Sequence, residues 1–534
     1  MATQNAQRFA SLLKLADLRE FYKQNPDNPE DTIKVHDIVS RLARVYEKVR
    51  NTIDYREDHL LRKNAIRRIL TRRLSIKMAS QADLGLSLIR EITAAGYIED
   101  GLLPVKKAEE VNYVIEKYLA LFNFSGYKRS EKDGSKLFKW LIGLASVEIE
   151  QIIVPPVEHK ALVDFMYGMA KEEVKIEDKK LDPRQNEIQI YLAVYRALIK
   201  VDTDTVHHIL LRRYVPVWLS ANKEEVMEVA KRLRNLKLAI ERDAKLPIAE
   251  KLLRALKKYS IAFLILKDVV NKEGADILNN PSQLEVAVRK QCDLVYKQRA
   301  QKLRSSIFRI TVYIFITKML MALMIELPYD LYIATQIDYI PLIINALFPP
   351  TLIFLVGVFI QLPGLNNTNA IVNLVNNMVN NNKLSGDNRI RASVSYSFFA
   401  SLMYYILYFA LFILSFGIII KILNNLHFNI VSKLIFVLFL SVVSFFVIRI
   451  RQGIRELFVT EVKENPIAFI LNLLAFPYLK VGQWISMNVS KINVFVFVLD
   501  FIIEAPFKIF LEVAEEWIGF LKEKKEEVYS GQQE

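Results

Sequence analysis

Residues 307–327 read IFRITVYIFITKMLMALMIEL, an apolar run broken only by Arg309, Lys318 and Glu326. A helix needs about 20 apolar residues to cross the hydrocarbon core of a bilayer, and buried helices of soluble proteins seldom sustain that purity. Three more runs follow: residues 339–362 and 395–420 carry no charge at all, and residues 430–448 carry Lys433 near the start. The economical reading is an all-α chain with four membrane spans, at about 307–327, 339–362, 395–420 and 430–448, within a transmembrane region of residues 307–450.

The charge distribution agrees with that division. The chain of 534 residues has a formal net charge of +14. Residues 1–306 hold 55 Lys+Arg against 42 Asp+Glu, which leaves 17 against 16 for the remainder. Nearly all the basicity therefore precedes the first apolar run. The opening residues, MATQNAQRFASLLKLADLREF, have charges interrupting every apolar stretch and so lack the core of a secretory signal. Lys297, Arg299, Lys302, Arg304 and Arg309 crowd the entrance of the first span, whereas Glu326, Asp330 and Asp338 follow it without any Lys or Arg. Lys383, Arg389 and Arg391 follow the second span, and Arg449, Arg451 and Arg455 the fourth; Lys421 and Lys433, around the short third link, are the weakest part of the alternation. The positive-inside rule then predicts both termini in the cytoplasm, and the absence of sorting signals suits a plasma membrane of the bacterial inner-membrane kind.

Residues 1–280 read as a cytoplasmic all-helical domain. Short breakers at residues 25–29, 101–104, 125–134, 155–156, 179–183 and 274–281 separate stretches with helical apolar spacing, as in Val111, Val114, Ile115, Tyr118 and Leu119. Asn222 with Glu225 forms a capping-box signal, and Asn280 with Pro281 and Gln283 a second helix start. Residues 281–306 form a stalk. From Ser282 to Leu327 there is neither Gly nor Pro, so the amphipathic stretch VRKQCDLVYKQRAQKLR and the first span can join in one helix of about 70 Å. The competing reading is a helix pair broken near Ser305 and Ser306.

Several polar constellations stand out. Residues 60–77, LLRKNAIRRILTRRLSIK, carry Arg62, Lys63, Arg67, Arg68, Arg72, Arg73 and Lys77 without one acid, around an apolar stripe of Ile66, Ile69, Leu70 and Leu74. Such a helix can lie on anionic lipid headgroups, or pack its stripe internally with its cations solvated. Nucleic acid is disfavoured because no binding motif accompanies the charge. Within the membrane region Lys318, Glu326 and Asn345 are candidates for an intramembrane polar site, and Pro349 and Pro350 are expected to kink or break the second span there. Alternatively, Lys318 snorkels toward the cytoplasmic surface. The asparagine-rich residues 366–388 keep an apolar stripe and predict a short surface helix.

Residues 451–534 read as C-terminal interfacial and amphipathic helices with a charged tail. Residues 466–477 look too short to span and suggest a hairpin. Asp500, Glu504, Lys508 and Glu512 recur every four residues and form a narrow polar stripe along one face.

The chemistry that is missing narrows the function. Cys292 is the single cysteine, which excludes an intramolecular disulfide and a cysteine-cluster metal site. There is no phosphate loop, dinucleotide fingerprint, HExxH or GxSxG motif, and the six histidines are scattered. No catalytic residue, metal or cofactor is assigned. The preferred expectation is a structural or adaptor protein of the membrane, whose partners are the anionic bilayer surface and an unidentified protein. The alternative is a transporter or channel using the proline-broken second span and Lys318. An enzyme without a recognisable motif comes third.

Overall fold

The computed structural model describes residues 2–15, 22, 32–35, 37–51, 57–75, 84–177, 181–334, 339–358, 360–384, 389–391, 397–460 and 466–491, with single positions at 513, 517 and 520. Lys77 and the stripe of Asp500, Glu504, Lys508 and Glu512 lie outside the described residues. Apart from two three-residue strands, every regular element among the described residues is helical, so the fold is all-α. The chain forms two compact units, one built from Ala2–Leu256 with Asn382–Ala392 and the other from Lys257–Asn381 with Ser393–Asn493.

The first unit contains α1 (Gln4–Lys14), α2 (Asp37–Asn51), α3 (Asp58–Ser75), α4 (Leu84–Ala94), α5 (Lys106–Phe124), α6 (Lys132–Ile153), α7 (Val157–Glu173), α8 (Pro183–Leu198), α9 (Thr203–Tyr214), α10 (Lys223–Lys231), α11 (Leu233–Ala244) and the start of α12 (Pro247–Glu273). Its centre is α6, buried at every position from Trp140 to Glu150 and therefore interior, with α3, α5 and α9 packed around it. Gly143 faces α9 across this contact. A Cβ there would stand 2.5 Å from Asp204 Oδ1, so a side chain would displace the Asp204 carboxylate. The capping box read at Asn222 and Glu225 is formed, and a second one, Asp182 with Gln185, starts α8. Strand β1 (Lys175–Glu177) pairs in parallel with β2 (Arg389–Arg391), so a short piece of the link after the second apolar run belongs to this unit.

The second unit is organised by α13 (Pro281–Met321), 41 residues without interruption. Ser305 and Ser306 sit inside it, so the broken pair is not what forms. Beyond Met321 the helix continues through a π turn (Ala322–Glu326), one α turn (Leu327–Tyr329) and a second π turn (Asp330–Ala334). Pro328 lacks the N–H that an α-helix would use here, which favours the wider turns on either side.

Then come α14 (Tyr339–Val358), α15 (Leu365–Asn381), α16 (Phe398–Asn425), α17 (Ile430–Arg455) and α18 (Pro466–Lys491). Extended α13, α14, α16 and α17 are long and apolar enough to cross a membrane. The expected break in the second span does not occur: α14 runs through Pro349 and Pro350 as one helix. Thr351 Oγ1 adds a hydrogen bond to the Leu347 carbonyl at 2.8 Å, strengthening the turn that the prolines weaken. Helix α15 buries its stripe of Ile371, Val372, Leu374, Val375, Met378 and Val379, and packs on α13.

The C-terminal hairpin is also replaced. Residues 466–491 form one 26-residue helix with Pro477 inside it, packed along α17 and touching α16, where Tyr478 donates to the Ser415 carbonyl at 2.6 Å. Packing partners out of reach of a short hairpin stabilise the full length.

Asn367 marks one end of this unit. Its Nδ2 donates to Tyr296 Oη at 2.9 Å and to the Leu457 carbonyl at 2.8 Å, while its Oδ1 accepts from Val459 N at 2.9 Å. The stalk part of α13, the start of α15 and the exit of α17 therefore meet at one end, called here the stalk end. At the distal end, Asn429 Nδ2 donates to Asp330 Oδ1 at 2.5 Å and its Oδ1 caps the Ser432 N–H at the start of α17.

Candidate functional site

Between α13, α14 and α17 the second unit encloses a polar cluster. Lys318 and Glu326 are eight residues apart, which in a pure α-helix would place Glu326 about 80° away from the Lys318 face. The π turn at Ala322–Glu326 uses more residues per turn and rotates Glu326 back toward it. The result is an ion pair, Lys318 Nζ to Glu326 Oε1 at 3.0 Å, with both side chains wholly buried. Asn345 on α14 donates Nδ2 to Glu326 Oε2 at 2.7 Å and to the Ser432 carbonyl at 3.3 Å, and Ser432 Oγ lies 3.4 Å from the same carboxylate oxygen. The Lys318 ammonium rests 4.7 Å from the centroid of the Phe439 ring. Lys318 does not snorkel to a surface, because its charge is neutralised where it lies.

Of the residues expected in an intramembrane site, Lys318, Glu326 and Asn345 are brought together. Pro349 and Pro350 lie one turn beyond Asn345 and act through the backbone, since neither supplies the N–H that would bond the carbonyl of Asn345 or Ala346. Ser432 and Phe439 were not read from sequence. A signal for Ser432 did exist: Asn429 followed three residues later by a hydroxyl, opening an apolar run, marks a helix cap that carries polar groups into the bundle.

The basic helix α3 has a different fate. Each of its described cations has an acidic partner: Arg62 with Glu150 at 2.9 Å, Lys63 with Asp202 and with Asp204 at 2.8 Å, Arg67 with Asp204 at 2.6 Å, Arg68 with Glu47 at 2.9 Å, and Arg72 and Arg73 with Glu91 at 2.6 and 3.2 Å. The partners lie on other elements, 18 to 141 residues away. These cations are thus paired within the unit, and Ile66, Ile69 and Leu70 pack into the core.

A second buried network holds the 3₁₀ turn Trp218–Ser220 of the first unit. Lys117 Nζ donates to Glu148 Oε1 at 2.5 Å and to the Trp218 carbonyl at 3.0 Å. Tyr118 Oη and Trp218 Nε1 donate to Glu148 Oε2 at 2.9 and 3.0 Å. Burial pushes the Glu148 carboxyl up, but the adjoining His208 and Lys117 outweigh it and hold the group below its ordinary value. Burial lowers His208 against the opposing pull of Glu148, from which its Nε2 stands 3.6 Å. Every member is buried, so the network anchors rather than reacts. Glu148, an acid following the apolar stretch from Trp140 to Val147, was the sequence signal for it.

Compared with known proteins, the chain matches no family model, no curated protein and no solved structure. Its sites are therefore read from their own chemistry. Among the described residues no group of three or more His, Cys, Asp or Glu could hold a metal ion.

Proposed function

We propose that this chain is a multi-pass integral membrane protein whose N-terminal helical unit serves as a membrane-tethered interaction module. The four apolar helices support insertion, because an exposed apolar surface of that extent belongs in lipid. The positive-inside pattern supports a cytoplasmic module, joined through α12 and α13 to the bundle.

The observation that carries the interaction role is the turn around Trp218. Trp218 is wholly buried and bonded to Glu148, while its neighbours Val217 and Leu219 are about half exposed, as is Tyr113, whose hydroxyl donates to the Ala221 carbonyl at 2.6 Å. A deeply anchored turn holding aliphatic and aromatic side chains in water pays little ordering cost on binding, which is how interface hot spots are built. The partner surface it fits is apolar.

Photo-crosslinking in intact cells tests this. A benzoylphenylalanine at Leu219 should give a discrete adduct, reduced by Val217→Glu, while the same probe at exposed Lys136 should give none. Equal labelling from both positions would remove the interaction reading.

A further inference from the structure

The polar cluster of the bundle has a feature that a simple helix staple would lack. Asn345 is wholly buried and spends its amide N–H groups on Glu326 and the Ser432 carbonyl, yet its Oδ1 accepts no hydrogen bond. A buried amide oxygen left without a donor is costly, and such groups are rare in folded proteins. On the same turn, Pro349 and Pro350 withhold the helical donors from the Asn345 and Ala346 carbonyls. Oxygen acceptors without donors thus collect on the turn that carries Asn345. Among the described residues Glu326 is the one oxygen partner of the Lys318 ammonium, which otherwise lies on the Phe439 ring.

We propose that the cluster is a cation-exchange site in which a small monovalent cation and the proton of Lys318 compete for Glu326. In one state the ammonium neutralises the carboxylate, as seen here. In the other, Lys318 releases its proton, the neutral amine remains beside Phe439, and the cation is held by Glu326, Asn345 Oδ1 and carbonyl oxygen. One positive charge leaves as a proton and one arrives as the cation, so the buried charge is unchanged. Charge constancy decides between this exchange and simple cation addition, because a second uncompensated charge in this setting costs several kcal/mol. A single carboxylate with amide and carbonyl oxygens also suits a monovalent ion better than a divalent one, which gathers more anionic oxygens.

The surroundings give the site a direction. Toward the distal end the polar groups continue through Ser432 and Asn429 to Asp330. Toward the stalk end the same helices close in an apolar plug of Ile307, Ile314, Ile353 and Val443, in which a Cβ on Gly357 would stand 2.5 Å from Ile307 Cδ1. Proton and cation therefore both reach the cluster from the distal end.

The test uses the full chain, purified in detergent in weak buffer at pH 7.5 with a pH-sensitive dye. Sodium chloride should release about one proton per chain, choline chloride none, and Lys318→Met and Glu326→Gln should abolish the release. Asn345→Ala should weaken the sodium dependence about tenfold or more with an unchanged gel-filtration profile. For variants that do not fold, the unaltered protein supplies a second measurement. Sodium should raise its melting temperature more at pH 8.5 than at pH 6.5, because the apparent sodium affinity changes about tenfold per pH unit while a proton competes. No proton release, release unchanged in Lys318→Met, or a melting shift independent of pH would each overturn the exchange and leave a structural ion pair.

Discussion

Gly482 of α18 lies against the Ser441 carbonyl of α17 so closely that a Cβ on it would stand 2.0 Å from that oxygen. The two helices approach backbone to backbone, the contact that small residues permit between membrane helices. Gly482→Ala should therefore destabilise the bundle by about 1–3 kcal/mol, the usual cost of overpacking, and Gly482→Leu by more. Thermal unfolding in detergent measures it. An unchanged melting temperature for Gly482→Leu would mean that α18 does not pack there.

That contact also sets the direction of α18. Ten residues separate Arg455 from Pro466, Gly482 meets the middle of α17, and Phe476 and Tyr478 pack with Tyr408 and Phe416 in the same order along α16, which runs toward the distal end. Helix α18 therefore runs antiparallel to α17 and ends distally.

The unbroken α13 makes a metric prediction. Spin labels at exposed Val286 and Phe308 are 22 residues apart, so their backbones should lie about 33 Å apart, with a narrow distribution. A broad or much shorter distance would indicate a joint at Ser305 and Ser306.

The first unit should lose stability in mild acid. Burial lowers His59, His207 and His208 from their ordinary 6.5. The unfolded chain therefore takes up protons near pH 6.5 that the folded one refuses, and stability falls as pH drops below that value. Each proton contributes a slope of about 1.4 kcal/mol per pH unit. Glu150 opposes this, because burial raises its carboxyl to about 7 despite Arg62, so the folded state keeps a proton that the unfolded chain loses above about 4.5. Three groups outweigh one in the window from pH 6.5 downward. Denaturant midpoints between pH 7.5 and 5.5 should fall, and Glu150→Gln should make the fall steeper. A flat profile in both would contradict the burial of the histidines.

Breaking the Lys117–Glu148 pair should be severe. Lys117→Met leaves a buried carboxylate with Tyr118 and Trp218 as its remaining close donors and should cost about 3–5 kcal/mol, whereas Lys117→Met combined with Glu148→Gln should cost less than the sum of the single changes. Fluorescence-monitored denaturation of the four proteins gives the coupling. Additive losses would show that the pair does not act as a unit.

Much of the architecture was legible in residue order. Purity and length marked the four long apolar helices, the 3.6-residue spacing and caps such as Asn222 marked the helical unit, and the absence of Gly and Pro from Ser282 to Leu327 allowed the long helix. These signals are local, since helix propensity, capping and apolar periodicity act over a few turns. Pairing is not local. Whether Arg67 is solvated or bonded depends on Asp204, 137 residues away, and whether residues 466–491 fold back or extend depends on Ser441 and Ser415 of other helices. The same holds for the cluster in the bundle. The sequence by itself determined that Lys318, Glu326 and Asn345 sit in apolar surroundings, where each needs a partner. Only the tertiary structure decided that they are one another's partners, because a π turn rotates Glu326 and the packing of α14 and α17 brings Asn345 and Ser432 to it, over separations that no local preference spans.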